Sequence, residues 1–246
     1  MRYNQVENMR VRLLLLSIFS ATISLYAADT RVADAAEARE KEAVRSLISQ
    51  KADVNAAQPD GTTALHWAVR ADDAETVDLL IRAGANVKAA NRFGMTPLSL
   101  AATNGNGAIV EKILTAGEDP NAVVSVTGDT AFMIAARTGR TDAIASFLKH
   151  GADVNKINND GQTALMWAAS ARNAAAVKLL VDHKADLNAK THNAPPPKPL
   201  DTIFSAPYPV GGMTALLFAA RQNDQATAKI LLDAGANINL GAAEWQ

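Results

Sequence analysis

A threonine that returns at a nearly fixed interval constrains the possible folds of this chain more than any other feature of its sequence. The first four copies lie 33 or 34 residues apart and the last two lie 51 apart; the copies are Thr63, Thr96, Thr130, Thr163 and Thr214. Each copy follows a glycine by two residues and begins a short apolar stretch. Units of this length bury an apolar face only by stacking, so the spacing predicts an all-α solenoid.

Each period carries the signals for two helices. The threonine suits the N-cap of the first helix, and Pro97 suits a first helical position, where no backbone N–H is needed. Beyond the second helix comes a glycine suited to left-handed backbone, replaced by Lys51 and Lys184 in two copies, where we expect strain. The second helices supply two apolar columns to the predicted core, namely Val44, Val77, Val110, Ile144, Val177 and Ala228, and Leu47, Leu80, Ile113, Phe147, Leu180 and Leu231.

The segments Thr63-Ala64-Leu65-His66 and Thr96-Pro97-Leu98-Ser99 resemble the ankyrin repeat, and the likeness extends over residues 43–239. It implies an all-α ankyrin-repeat solenoid of stacked helix-turn-helix units with hairpin loops. It also implies that the motif threonines and Pro97 are structural, and that His66, the single copy of the family's histidine, brackets neighbouring turns.

The resemblance also sets the expected organisation of the chain. We expect an N-terminal capping repeat over residues 29–59, with its first helix over 31–41. Four ankyrin repeats over 60–190 follow. After a proline-rich insertion over 191–211, a C-terminal capping repeat occupies residues 212–246.

The first 28 residues have the features of a secretory signal peptide. Three arginines precede an apolar run over residues 13–26, and Ala27 and Ala28 offer a cleavage site. The run is shorter than the ~20 residues of a spanning helix, which favours export with cleavage. Because Leu25 departs from the small-residue rule for cleavage after Ala27, an uncleaved anchor stays open. We expect an exported bacterial protein, periplasmic or secreted, with no membrane contact once the signal is removed.

The composition argues against several functional classes. The formal net charge is −1 and only 5% of residues are aromatic, so the basic excess and the stacking surfaces of a nucleic-acid-binding protein are missing. There is no cysteine, and no two of the four histidines have the spacing of a helical zinc site. Hydrolase and phosphate-binding motifs do not occur. We therefore expect no catalytic residue, metal or cofactor, and keep an enzyme or a metal-binding protein as the less favoured alternative.

The expectation that remains is a monomer that binds a protein partner. The ankyrin resemblance places that partner on the concave face, along the hairpin tips and the exposed sides of the first helices. A secreted effector that binds a host protein is the alternative. We expect Trp67, Trp167 and Phe218 to pack in the core. The candidate contacts are five arginines, Arg92, Arg137, Arg140, Arg172 and Arg221.

The insertion over residues 191–211 interrupts the period. It accounts for 18 extra residues and holds six of the nine prolines, which are unsuited to helix. Phe204 and Tyr208 lie within it and are further candidate contacts. The sequence leaves open whether this segment is a functional loop, an inert extension or a flap on its own repeat.

Overall fold

The computed structural model describes residues 29–192 and 211–241. These ranges hold six consecutive helix pairs and no strand, so the expected all-α solenoid of helix-turn-helix units is confirmed. None of the described helices is long and apolar enough to cross a membrane. The predicted signal peptide, Phe204 and Tyr208 lie outside the described residues. The pairs are α1 (Arg31–Glu37) with α2 (Lys41–Ser49), α3 (Ala64–Arg70) with α4 (Ala74–Arg82), α5 (Pro97–Asn104) with α6 (Gly107–Thr115), α7 (Ala131–Thr138) with α8 (Thr141–Lys149), α9 (Ala164–Ser170) with α10 (Ala174–Asp182), and α11 (Ala215–Arg221) with α12 (Gln225–Asp233).

The motif threonines fix where the first helices begin. Each has extended backbone and stands immediately before α3, α5, α7, α9 or α11. In the last four, the hydroxyl accepts a hydrogen bond from the backbone N–H three residues on, at 3.1 Å in α5 and 3.3 Å in the others. Pro97 is the first residue of α5. The predicted capping is therefore confirmed, and it satisfies a backbone donor that the helix itself leaves free.

The first helix of the N-terminal unit is shorter than the sequence suggests. The prediction of a helix over residues 31–41 is wrong, because α1 ends at Glu37 and Lys41 already begins α2. Arg39 turns the chain between them with a left-handed φ of 60°. The run of alternating charges hides this turn, since arginine carries none of the usual signals of left-handed backbone.

The second helices end in left-handed backbone, as predicted. Four of them have glycine there, with φ between 83° and 97°. Lys51 and Lys184 take the same conformation, with φ of 61° and 67°. A side chain at positive φ is strained, so these two lysines are local weak points in the first capping unit and the fourth full repeat.

Stacking of like helices builds one continuous core. Each first helix packs on the next first helix and each second helix on the next second helix. The two predicted core columns are buried through the middle of the stack, where Leu80, Phe147 and Leu180 have no exposed surface. Leu47 and Ala228 are only partly buried, contrary to the prediction. They belong to the first and last described units, each of which packs on one other described helix pair.

The hairpins between units are joined tip to tip. The N–H of Arg92 donates to the carbonyl of Asp60 at 2.9 Å, and the N–H of His192 donates to the carbonyl of Asp160 at 2.7 Å. Because of these bonds the hairpins stack on one another as the helices do, and their tips lie along one edge of the solenoid.

An asparagine at the end of four units brackets the unit that follows. Its side-chain oxygen accepts from a backbone N–H of the next unit at 2.7–2.9 Å, and these residues are Asn55, Asn121, Asn155 and Asn188. In the first three the side-chain amide also donates to a carbonyl of that unit, at 3.0–3.5 Å. Each such asparagine therefore ties two units together through their backbones.

Lys88 occupies the bracket position of the first full repeat. The backbone N–H of Asp119, which such an asparagine would bind, donates at 3.0 Å to the Oε1 of Glu118. Glu118 stands where the other five units have alanine. Its Oε2 is buried with no hydrogen-bond partner in the described part of the chain. Burial raises the pKa of this carboxyl, so its charged form is held at a cost.

The insertion leaves the hairpin that carries it intact at its base. The N–H of Thr191 donates to the carbonyl of Met213 at 3.0 Å, and the N–H of Gly212 donates to the carbonyl of Thr191 at 3.1 Å. The same pair of bonds closes the uninterrupted hairpin at Asn158, at 3.1 and 3.0 Å. The repeat frame therefore continues directly from Thr191 to Gly212, and the extra segment reduces to residues 193–210.

Candidate protein-binding surface

One face of the solenoid is formed by the first helices together with the hairpins. The indole N–H of Trp67 donates to the side-chain oxygen of Gln58 at 2.8 Å, and that of Trp167 donates to Gln162 at 3.0 Å. Both glutamines belong to hairpins, so these bonds fix the side of the helices that turns toward the loops. We call this side, with the hairpins, the inner face.

A groove of about 170 Å³ lies on the inner face between three successive units. The guanidinium carbon of Arg137, on α7, lies 5.0 Å from the centroid of the Trp167 ring, on α9. The groove is lined by Arg137, Gln162, Met166, Trp167, Ser170 and Phe218. Trp167 and Phe218 are only partly buried, so the expectation of core residues holds for the side that packs on the solenoid, while the other side lines the groove.

The hairpin tips expose large apolar side chains. Phe93 is 69% exposed, Val126 is 98% exposed and Ile157 is 49% exposed. The guanidinium of Arg92 lies 5.2 Å from the centre of the Phe93 ring, which makes this tip an amphipathic contact. The three side chains belong to three consecutive hairpins, so they lie along one edge of the inner face.

The other candidate arginines lie apart from the groove. The side chain of Arg140 lies over the turn of the preceding repeat, where an added Cβ on Gly105 would meet its Cγ. Arg172 forms the α9–α10 turn with a left-handed φ of 61°, and Arg221 ends α11. Of the arginines named from the sequence, the structure thus brings Arg137 alone into contact with the groove aromatics.

Carboxylates near these arginines are already engaged with their own hairpins or helices. Burial on its own would raise the pKa of Asp129, but hydrogen bonds from Asn158, Thr127 and Ser125, with a contribution from Arg137, lower it. Hydrogen bonds from Thr227 likewise lower the pKa of Asp224, with a contribution from Arg172. Across the described ranges, none of the five candidate arginines forms an ion pair with a carboxylate.

His66 is a structural bracket, as the resemblance implies. Its Nδ1 accepts from the backbone N–H of Thr63 at 3.2 Å and lies 2.8 Å from the Thr63 hydroxyl. Its Nε2 lies 2.9 Å from the carbonyl oxygen of Met95 in the next hairpin, which fits a neutral ring with its proton on Nε2. Burial lowers the pKa of this histidine, although the hydrogen bond to Met95 opposes the shift. His66 therefore joins one repeat to the next instead of facing a ligand.

The described residues contain no cluster of three or more His, Cys, Asp or Glu side chains able to hold a metal ion. A larger cavity, of about 320 Å³, lies at the turns of the first two units, on the opposite side from the hairpins. Within its lining the Lys41 ammonium lies 3.1 Å from Asp73, and it also lies 3.3 Å from Glu75 on the neighbouring helix.

The exposed hairpin side chains are the contacts that sequence reasoning undervalued. Phe93 and Val126 stand in turns, where apolar residues are out of place because nothing packs across a loop tip. The position of these residues in the hairpins was readable from the repeat spacing. Within the described ranges their exposure depends on which other elements pack nearby, and a repeat pattern does not reveal this.

Comparisons with known proteins agree with this architecture. A family model described as ankyrin repeats (3 copies) matches residues 32–124 and 98–191, and a single ankyrin-repeat model matches residues 211–242. A search of curated proteins finds no match. The family matches cover well over half of the sequence and include every described helix pair. The chain therefore belongs to the ankyrin-repeat family.

Proposed function

We propose that this protein is a non-catalytic interaction module that holds another protein on its inner face. The observation that carries the proposal is the set of exposed apolar side chains on consecutive hairpin tips, together with the Arg137–Trp167 groove on the same face. Exposed apolar residues on a soluble protein mark interaction sites when they lie together on one surface. Tryptophan and arginine are also the residue types that contribute most to binding energy at interfaces.

The position of the exposed residues favours the hairpin edge over the rest of the surface. Phe93 and Val126 project from loops that are held by bonds from tip to tip, so they are presented without loss of order on binding. The second helix of each pair lies away from the inner face, and we call these the outer helices. They instead display charged pairs such as Arg82 with Asp78, at 2.8 Å. A partner that covered a surface of solvated ion pairs would gain little binding free energy.

Site-specific photo-cross-linking tests this assignment. Phe93 is replaced by p-benzoylphenylalanine in cells that make the protein, and cross-linked products are separated after irradiation. The matched control places the same group at Arg82, which is 78% exposed on α4. We expect a discrete protein adduct from position 93 and none from position 82. Equal adducts from both positions, or none from position 93, would refute the inner face as the binding surface.

A second variant checks that the contact has an energetic effect. Phe93→Ser combined with Val126→Ser removes apolar surface that is already exposed, so the melting temperature should stay within about 1 °C. Recovery of the cross-linked partner, read by quantitative pull-down, should fall by about tenfold or more. Unchanged recovery would count against the hairpin tips as contacts.

We further propose that the protein is exported and meets its partner outside the cytoplasm. The support is the sequence of residues 1–28, with its arginines, its apolar run and the alanines at 27 and 28. Mass spectrometry of the purified native protein should find an N-terminus at residue 28 or 29. Retention of residues 1–27 would favour the anchor instead.

Cell fractionation separates the two exported functions. Mature protein retained in the periplasm supports an interaction protein of that compartment. Release into the medium supports a secreted effector that binds a host protein. Recovery of the unprocessed chain from the cytoplasm would refute export in both forms.

A further inference from the structure

Arginine alternates with a small hydroxyl residue along the inner face. The position at or near the end of each first helix, in the four full repeats and the C-terminal capping repeat, holds Arg70, Thr103, Arg137, Ser170 and Arg221. Three residues earlier, and so on the same side of each helix, stands an apolar residue that packs partly on the core; these are Trp67, Leu100, Ile134, Trp167 and Phe218. The inner face therefore carries an apolar ridge flanked by a cation at every second repeat.

Two of the three arginines lie over indole rings. The guanidinium of Arg137 lies 5.0 Å from the Trp167 ring centre, and that of Arg70 lies 5.3 Å from the Trp67 ring centre. A guanidinium held over a ring still has N–H groups that can bind a carboxylate with two parallel hydrogen bonds. Because both indole N–H groups are already bound to glutamines, the rings are held in place before any partner arrives.

No carboxylate in the described ranges pairs with the three arginines. All three side chains are exposed. Asp129, the acidic residue that feels the charge of Arg137, is instead bound by Asn158 at 2.7 Å and by Thr127. Among the described residues these three cations are therefore unpaired.

The N-terminal capping unit reverses this charge. In the same two positions of α1 it has Asp34 and Glu37, and the side-chain amide of Gln58 donates to both, at 2.9 and 2.7 Å. An acidic partner would be repelled at this end of the inner face. The charge pattern therefore confines such a partner to the full repeats.

We propose that the inner face binds an extended protein segment that carries carboxylates about six residues apart, with apolar side chains between them. This inference rests on the proposed protein-binding function and specifies the partner's chemistry. Helices in contact lie about 8–10 Å apart, so the helix positions of arginines two repeats apart are separated by about 16–20 Å. An extended chain rises about 3.3 Å per residue, and about five to six residues span that distance. The apolar side chains between the carboxylates lie on the ridge.

Selection from a random 12-residue peptide library displayed on phage tests the proposal. The full chain is immobilised, and enriched peptides are sequenced and then measured by fluorescence anisotropy. We expect enriched peptides to carry two acidic residues six positions apart beside apolar residues. Each carboxylate changed to its amide should weaken binding by about tenfold.

Paired variants of the protein identify the surface used. Arg137→Ala with Arg221→Ala should weaken the enriched peptides by about a hundredfold. Arg82→Ala with Lys178→Ala is the control, because it removes the same charge from exposed positions on the outer helices, and it should leave binding unchanged. Equal melting curves for all variants would show that the fold is unaffected.

The outcomes separate the two levels of the proposal. Enriched peptides without the acidic spacing, or peptides insensitive to the arginine pair, would overturn the acidic partner and leave the binding function standing. A library with no enriched peptide would count against both. Displacement of the peptide by a single-stranded DNA trinucleotide, whose two phosphates match the two carboxylates in charge, as strongly as by free peptide, would show that the arginines recognise phosphate and would overturn a protein partner.

Discussion

The interface between the first two full repeats should become more stable when its missing bracket is restored. Lys88 stands where four other units have a bracketing asparagine, and Glu118 occupies the matching alanine position of the next unit. Glu118 binds the backbone N–H of Asp119 at 3.0 Å, which the lysine cannot do. We predict that Lys88→Asn combined with Glu118→Ala stabilises the protein, because it replaces a strained substitute with the link used elsewhere.

The magnitude follows from the bonds involved. Brackets such as that of Asn55 make two hydrogen bonds to the next unit, at 2.7 and 3.0 Å. A neutral hydrogen bond contributes about 0.5–1.5 kcal/mol net, so the restored pair should raise the free energy of unfolding by about 1–3 kcal/mol. For a protein of this size each kcal/mol corresponds to about 2–4 °C in melting temperature. Removal of the buried carboxylate oxygen of Glu118 adds to the gain.

Urea denaturation of the two single variants and the double variant gives the test. Lys88→Asn alone should gain little, because Glu118 already occupies the Asp119 N–H, and Glu118→Ala alone leaves that N–H to water. The double variant should exceed the sum of the singles by about 0.5 kcal/mol or more. Asn121→Lys, which breaks an intact bracket, should cost about 1–3 kcal/mol. A double variant no more stable than the wild type, or singles that simply add, would refute the reasoning.

The pH dependence provides an independent check of the same site. Burial raises the pKa of Glu118 above its ordinary value of 4.5, so the folded state binds this proton more tightly than the unfolded state. The wild type therefore gains stability relative to the double variant as pH falls through the raised pKa toward 4.5. The advantage of the variant should be full at neutral pH and smaller at pH 4. An advantage that does not change with pH would show that the carboxylate is not penalised.

Three further predictions concern stability. Lys184→Gly relieves a left-handed φ of 67° and should raise the melting temperature by about 2–4 °C, whereas an unchanged or lower value by calorimetry would contradict the strain. Burial lowers the pKa of His66 below 6.5, so the folded state resists protonation. The free energy of unfolding measured in urea should therefore fall as pH drops from 6.5, by at most about 1.4 kcal/mol per pH unit. His66→Gln should flatten this slope, and an identical slope in the variant would contradict the role of His66. Leu180→Ala empties a fully buried position and should cost about 2–5 kcal/mol in urea, while a loss below 1 kcal/mol would mean that the core collapses around it.

The sequence was sufficient to predict the architecture because each repeat carries the residues that begin and end its own helices. The threonines and the glycines that precede them recur with the helices they control, and an error in one copy is corrected by the others. The exception is α1, where Arg39 makes a turn without a turn residue and no aligned glycine marks it. Leu47 and Ala228 were placed in the core by the same alignment, which ignores that end units have one neighbour.

The candidate binding surface could be predicted only in part. The repeat alignment located Arg137 and Trp167 on first helices, but their contact joins two units and depends on which way a long side chain lies. Trp167 and Ser170 lie three residues apart on one helix, but the groove that they line also takes Arg137 and Phe218 from the neighbouring units. An alignment of the repeats compares equivalent positions in successive units, whereas the groove is formed by residues at different positions in neighbouring units.

Because the hairpin at Thr191 is closed at its base, the loop that it carries should tolerate deletions and insertions. Removal of residues 193–210 would join His192 to Gly211 and leave two residues between Thr191 and Gly212, the same number as lie between Asn158 and Gly161. A chain so shortened should melt within a few degrees of the parent, because both closing bonds are kept. Another domain could be carried at the same point without shifting the repeats on either side. The repeats on both sides of the loop should therefore keep their packing when the loop changes in length.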